Sequence, residues 1–266
     1  MPNRRWNDRL KPVEEKNFGR RGIYLLPNLF TTGALFAGFY AIVAAINGNF
    51  EPAAVSIFIA MVLDGMDGRI ARLTNTQSDF GAEYDSLSDM VSFGLAPALV
   101  AYEWILFEVG KVGWLAAFLF TACAALRLAR FNTQASSQDK RFFQGLPSPA
   151  AAAVLAGLVW FSSELDLRAS SVSLSVLLIA TFALAAMMVS NVRYYSFKEL
   201  DLRDKVPFIA VLFIVFAFFL VSLEPAGVLS LLFVSYALSG PIITLLQVRQ
   251  RREERREQKR NNQDAA

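Results

Sequence analysis

Asp64, Asp67, Asp85 and Asp89 lie in one short stretch that joins two apolar segments, each long enough to cross a bilayer. Ionised carboxylates beside hydrocarbon are costly, so this cluster is expected to hold a cation or to do chemistry. Asp64 and Asp67 are three residues apart and Asp85 and Asp89 four apart, so on helices each pair shares one face. Gly68 and Ala71 extend the first stripe and Gly81 the second. Small residues there let a backbone approach a flat or phosphorylated ligand closely. Oxygen-only ligands favour a hard cation, Mg²⁺ or Mn²⁺, over zinc. Two such ions, about 4 Å apart, would suit phosphoryl-group chemistry, where they neutralise phosphate charge and align an in-line displacement. Pairing of the carboxylates with Arg69 and Arg72 for helix packing is the plainer alternative, but four acids against two bases would leave uncompensated charge. A calcium loop is excluded because its remaining ligands and closing Glu are missing from their positions.

Composition narrows the chemistry further. With 266 residues, 55% of them hydrophobic, and 23 Phe, the chain is too apolar for an ordinary soluble domain. It reads as a polytopic α-helical membrane protein. His is absent, which removes imidazole as base or ligand and leaves carboxylates for those roles. The one cysteine, Cys123, sits in an apolar run and reads as a small packing residue.

Eight spanning helices are expected to position the aspartates, over residues 28–47, 50–72, 79–106, 112–132, 147–164, 171–192, 207–223 and 226–247. With the N-terminus cytoplasmic, all 26 Lys and Arg except Lys111 and Arg168 fall on the cytoplasmic side. The aspartates, both termini and the polar loops then open to the cytoplasm. Helix rise sets depth. From Pro52 to Asp64 is roughly 18 Å and from Glu103 back to Asp89 roughly 21 Å, so Asp64 should face Asp89, with Asp67 and Asp85 nearer the cytoplasm. The basic first 24 residues read as an interfacial helix or flexible arm, not a secretory signal.

The run Asp64-Gly65-Met66-Asp67-Gly68-Arg69-Ile70-Ala71-Arg72, followed by Gly81, Asp85 and Asp89, fits D-x-x-D-G-x-x-A-R-x8-G-x3-D-x3-D without a departure. In this it resembles the CDP-alcohol phosphotransferases. The resemblance implies a homodimeric membrane enzyme with a six-helix core that transfers a phosphatidyl group from a CDP-linked lipid to an alcohol and releases CMP. It covers about residues 25–195, leaving a basic segment 1–24, two additional helices in 196–247 and a basic tail 248–266. By position, Asp64, Asp67 and Asp85 are implied as metal ligands, and Asp89 as second-metal ligand and general base. Asp64, Gly68, Ala71, Arg72 and Gly81 are implied as the CDP pocket. Pro27-Asn28-Leu29-Phe30-Thr31 resembles the family's segment at the mouth of the first helix, where Asn28 and Thr31 either touch the nucleotide or cap the helix.

For the acceptor, Leu126 to Asn132, Phe143 to Ala150 and Tyr195 to Lys198 resemble the phosphatidylserine synthase branch. The implied substrates are CDP-diacylglycerol and L-serine. Serine brings a carboxylate, so an Arg or Lys is expected at the cytoplasmic mouth. Arg127 and Arg130, three apart, are the candidates, with Asn132 and Gln144 as polar partners; binding of lipid headgroups is the alternative for either arginine. Lys140 and Arg141 read as surface charge, and Ser86, Ser88 and Ser92 as packing hydroxyls. The basic tail suits an anionic lipid surface and, lacking aromatic residues, does not suit nucleic acid. The alternatives are the same chemistry with choline, glycerol 3-phosphate or inositol phosphate as acceptor, or a cation-coupled transporter. The latter leaves the Gly, Ala and Arg spacing unexplained.

Overall fold

The computed structural model describes residues 18–134, 142–167, 170–195 and 208–264. The expectations for most of the N-terminal segment, for Lys140, Arg141 and Arg168, and for Ser196 to Lys198 fall outside those residues. Among the described residues the chain forms α1 (Phe18–Ile46), α2 (Phe50–Thr74), α3 (Asp79–Asp89), a π-helical turn (Met90–Leu95), α4 (Ala96–Trp104) and a 3₁₀ turn (Leu106–Val109). There follow α5 (Lys111–Gln134), β1 (Phe142–Gln144), α6 (Ser148–Glu164), α7 (Ser171–Val189), β2 (Arg193–Tyr195), α8 (Phe208–Leu223) and α9 (Pro225–Asp264). The eight expected spans correspond to α1, α2, α3 with α4, and α5 to α9. Leu26–Ile46, Lys111–Thr133, Ser171–Val189 and Pro225–Leu245 are long and apolar enough to cross a membrane by length and composition. The molecule is a multi-pass membrane protein.

Small residues hold the bundle together. Ala34, Ala37, Ala41, Ala44 and Ala45 of α1 are buried, as are Ala53, Ala54, Ile57 and Ala60 of α2. Alanine stripes let antiparallel backbones approach closely, which is how helices associate where lipid weakens the hydrophobic drive. α6 is the hub: Ala150 to Gly157 are buried in an unbroken run, and α2, α4, α7 and α9 pack around it.

Three details differ from expectation. α1 begins at Phe18 and runs through Pro27, so Asn28 and Thr31 are helix-interior residues rather than caps. The third span contains a π-helical turn directly after Asp89. Pro97 has no N–H to return to the Phe93 carbonyl, and Ala96 N–H reaches back to the Val91 carbonyl instead, which accommodates the extra residue. Ser92 in this turn donates to the Ala34 carbonyl at 3.0 Å, and Ser88 to the Thr31 carbonyl at 3.1 Å, as packing hydroxyls. Finally, β1 and β2 pair antiparallel, with Phe142 opposite Tyr195 and Gln144 opposite Arg193. This small ribbon satisfies backbone groups between helices that would otherwise lack partners.

Candidate active site

The α2–α3 connection builds one wall of a cleft. Asn75, in the left-handed region at φ 52°, ends α2, and its N–H meets the Ala71 and Arg72 carbonyls. Ser78 then caps α3 by accepting from Gly81 N–H at 3.1 Å. The chain therefore reverses tightly and sets the two aspartate stripes against each other. A cleft of about 640 Å³ opens between them, lined also by α1, the C-terminal end of α5 and the start of α6.

One carboxylate oxygen each from Asp64, Asp67 and Asp85 lies within 4.8 Å of the others. Asp67 is 5% exposed and is held by the Thr31 hydroxyl, which donates to its Oδ2 at 2.7 Å. Asp85 Oδ1 is buried without a hydrogen-bond donor. A buried, negatively polarised oxygen without a donor is unfavourable, and three acidic oxygens at such spacing repel one another. A hard divalent cation relieves both penalties, so the residues fit a metal. Asp89 stands outside the three-oxygen group, where it feels the charges of Asp64, Asp85 and Arg127.

Every residue expected in the nucleotide pocket lines the cleft: Asn28, Thr31, Asp64, Gly68, Ala71, Arg72 and Gly81. A Cβ at Gly68 would meet nothing within 4 Å, so its backbone faces open space. A Cβ at Gly81 would come to 3.4 Å from the Asn28 carboxamide oxygen, which places Asn28 beside the start of α3. Arg69 and Arg72 are exposed and also line the cleft.

The four residues expected at the acceptor end separate. Arg127 lines the cleft, with Nη1 donating to Ser148 Oγ at 2.8 Å and the guanidinium 6.0 Å from the Phe131 ring centroid. Its Nε is buried without a hydrogen-bond partner. Arg130 turns away and donates from Nη1 to the Val189 carbonyl at the end of α7, at 3.1 Å. Asn132 Nδ2 donates to Ser86 Oγ at 2.9 Å, tying α5 to α3, and Gln144 is exposed in β1. Arg130, Asn132 and Gln144 are not among the residues lining the cleft. Ser148, which orients Arg127, was not singled out from sequence. Its signals in the sequence are its place in the Phe143 to Ala150 segment and between Pro147 and Pro149 at a helix start.

Residues 24–190 match the CDP-alcohol phosphatidyltransferase family. The CDP-diacylglycerol-serine O-phosphatidyltransferase of Helicobacter pylori (strain ATCC 700392 / 26695) is 38% identical over 219 residues, covering 81% of this chain and 90% of that one. The protein of the same name from Bacillus subtilis (strain 168) is 34% identical over 174 residues, covering 65% of this chain and 92% of that one. A third, from Mycobacterium tuberculosis (strain ATCC 25618 / H37Rv), is 42% identical over 148 residues, which is 53% of this chain and 51% of that one. The facing aspartate stripes and the match across most of the helical bundle have one reading: the chain belongs to the CDP-alcohol phosphatidyltransferase family.

Proposed function

We propose that the protein transfers the phosphatidyl group of CDP-diacylglycerol to the hydroxyl of L-serine, giving phosphatidylserine and CMP. The observation that carries this reading is the placing of Asp89 within reach of the Arg127 charge, in the cleft that holds the three-oxygen cluster. A small amino acid whose carboxylate meets Arg127 brings its hydroxyl toward Asp89. Choline offers no anionic group for that arginine, while glycerol 3-phosphate and inositol phosphate would offer it a phosphate in place of a carboxylate. The names of the relatives point to serine among these acceptors.

In this reading Asp64, Asp67 and Asp85 hold a divalent cation, Mg²⁺ or Mn²⁺, with Asp89 contributing to a second; the metal supplies charge neutralisation at the pyrophosphate. Asp89 takes the proton from the serine hydroxyl as its oxygen attacks phosphorus. The bond from phosphorus to the CMP oxygen breaks, and CMP leaves with the electron pair. Thr31 keeps the Asp67 carboxylate oriented, and Arg72 donates paired hydrogen bonds to phosphate at the cleft rim. Asn28, Gly68, Ala71 and Gly81 shape the nucleotide pocket. Both termini and the cleft face the cytoplasm in a cytoplasmic membrane, where the basic residues concentrate and anionic lipid meets the termini. The working unit is a homodimer, as the family implies.

Labelled serine, choline, glycerol 3-phosphate and inositol phosphate, supplied in parallel with CDP-diacylglycerol and Mn²⁺ or Mg²⁺, test the proposal. Phosphatidylserine and stoichiometric CMP with serine alone are expected. Turnover with another alcohol alone would remove the serine assignment, and no CMP with any of them would remove the transferase reading altogether.

A further inference from the structure

Asp89 is the last residue of α3, and the π-helical turn that follows it is gripped by two helices. Ser88 and Ser92, on either side of Asp89 in the chain, are 2% and 0% exposed. They donate to two carbonyls of α1, that of Thr31 at 3.1 Å and that of Ala34 at 3.0 Å. A buried hydroxyl without an acceptor is costly, so both serines keep one face of this span on α1. The approach is close: a Cβ at Gly38 of α1 would lie 2.7 Å from Ser92 Cα. From α5, the Thr121 hydroxyl donates to the Gly94 carbonyl at 3.2 Å, and a Cβ at Gly94 would meet Ala124 Cβ at 3.3 Å.

Rotation about the helix axis is the motion to which Asp89 is most sensitive. A side-chain tip stands about 5 to 6 Å from its helix axis, so a rotation of about 10° moves it by about 1 Å. A misplacement of that size at a reacting group can cost about a hundredfold in rate. α1 also carries the Thr31 hydroxyl that holds Asp67, so one helix is the common reference for both aspartate stripes. π-helical turns are rare and frequently accompany functional sites. Here the contacts that hold the turn are the ones that fix the rotation of α3.

We propose that Ser92 is a positioning residue for Asp89: its bond to the Ala34 carbonyl, with that of Ser88 to the Thr31 carbonyl, locks α3 at the rotation that presents the Asp89 carboxylate to the acceptor hydroxyl. Neither serine is among the residues lining the cleft, so both act through Asp89. Hydroxyls that pack one helix on another thereby serve the proton transfer. This inference rests on the general-base role given to Asp89 above and extends it.

The test uses the full-length enzyme in detergent micelles with CDP-diacylglycerol, Mn²⁺ and labelled serine. Wild type is compared with Ser92→Ala, Ser88→Ala, Asp89→Asn and the double variant Ser92→Ala with Asp89→Asn. Ser92→Ala removes the donor without adding volume. It is expected to lower kcat by about tenfold, in the range of a slightly misplaced reacting group, with both KM values and the melting temperature close to wild type. Ser88→Ala should give the same pattern, since its bond fixes the same rotation. In the Asp89→Asn background, Ser92→Ala should lower the residual turnover no further, because residues that act through one group are not additive. Wild-type kcat in both serine variants, or an equal fall in the Asp89→Asn background, overturns the inference and leaves the transferase standing. A lower melting temperature with both KM values raised in parallel also overturns it, leaving the serines with packing alone. Full turnover in Asp89→Asn removes the base role on which the inference rests, and a wild-type protein that releases no CMP removes the proposed function as well.

Discussion

The Thr31 hydroxyl donates to Asp67 Oδ2 at 2.7 Å and so ties α1 to the carboxylate stripe of α2. Thr31 is 3% exposed, and the same residue's carbonyl accepts from Ser88 on α3. One buried residue thus links the helices carrying both stripes. Thr31→Val preserves shape and removes the donor. It should raise the Mn²⁺ concentration needed for half-maximal activity by about tenfold, as loss of a bond that orients a metal-binding carboxylate commonly does. Metal titration of CMP release measures this, and an unchanged titration curve would leave Thr31 with packing alone.

Asp89 faces Asp64 at the edge of the three-oxygen cluster and also feels the charge of Arg127. Asp89→Asn keeps the volume and removes proton acceptance. Turnover should fall by about a hundredfold or more, in the range of a lost general base, while CDP-diacylglycerol binding stays measurable. Full activity in this variant would take the proton-accepting role from Asp89.

Arg127 and Arg130 should separate cleanly by kinetics. Arg127→Gln is expected to raise the serine requirement far more than the CDP-diacylglycerol requirement. Arg130→Ala loses a hydrogen bond to the Val189 carbonyl instead. It should cost about 1 kcal/mol of stability with no selective change for serine. Reversal of the two kinetic patterns would mean that Arg130, rather than Arg127, meets the acceptor.

Gly38 lies where α1 crosses the π-helical turn. A Cβ there would sit 2.7 Å from Ser92 Cα and 2.5 Å from its Oγ. Gly38→Val should therefore push the turn away from α1 and loosen the placing of Asp89 just before it. A loss of roughly 1 to 3 kcal/mol is expected, as for other overpacked sites, seen as a lower melting temperature accompanied by reduced turnover. Wild-type values for both would show that the helices can separate there without cost.

Removal of divalent metal by a chelator should abolish CMP release, and Mn²⁺ or Mg²⁺ should restore it. The same addition should raise the melting temperature, because ions bound by the folded cluster stabilise it by mass action. Metal-independent turnover, with no thermal shift, would contradict the role given to Asp64, Asp67 and Asp85.

Much of the bundle was legible in the chain because helix length and apolar composition are local properties. The facing of Asp64 with Asp89 and of Asp67 with Asp85 followed from counting rise along two antiparallel helices, and the neighbours of each carboxylate agree with it. The π-helical turn was hidden, since Pro97 is tolerated near the start of any helix and only the contact of Ser92 with α1 makes the irregularity useful.

Arg127 and Arg130 mark where sequence stopped. Three residues apart on one helix, they have nearly the same local signal, and their separation comes from what stands opposite each: Ser148 at the start of α6 for one, the end of α7 for the other. The docking of α9 was likewise invisible, because Tyr194 meets Ala237 and Gly240 only after the ribbon has brought distant segments together. The sequence by itself pointed to metal-assisted phosphoryl chemistry, because aspartates at fixed helical spacing carry their geometry with them, and the motif around them carried the family resemblance. Tertiary structure decided which arginine enters the cleft and what holds it, because side-chain direction depends on neighbours that chain order does not reveal.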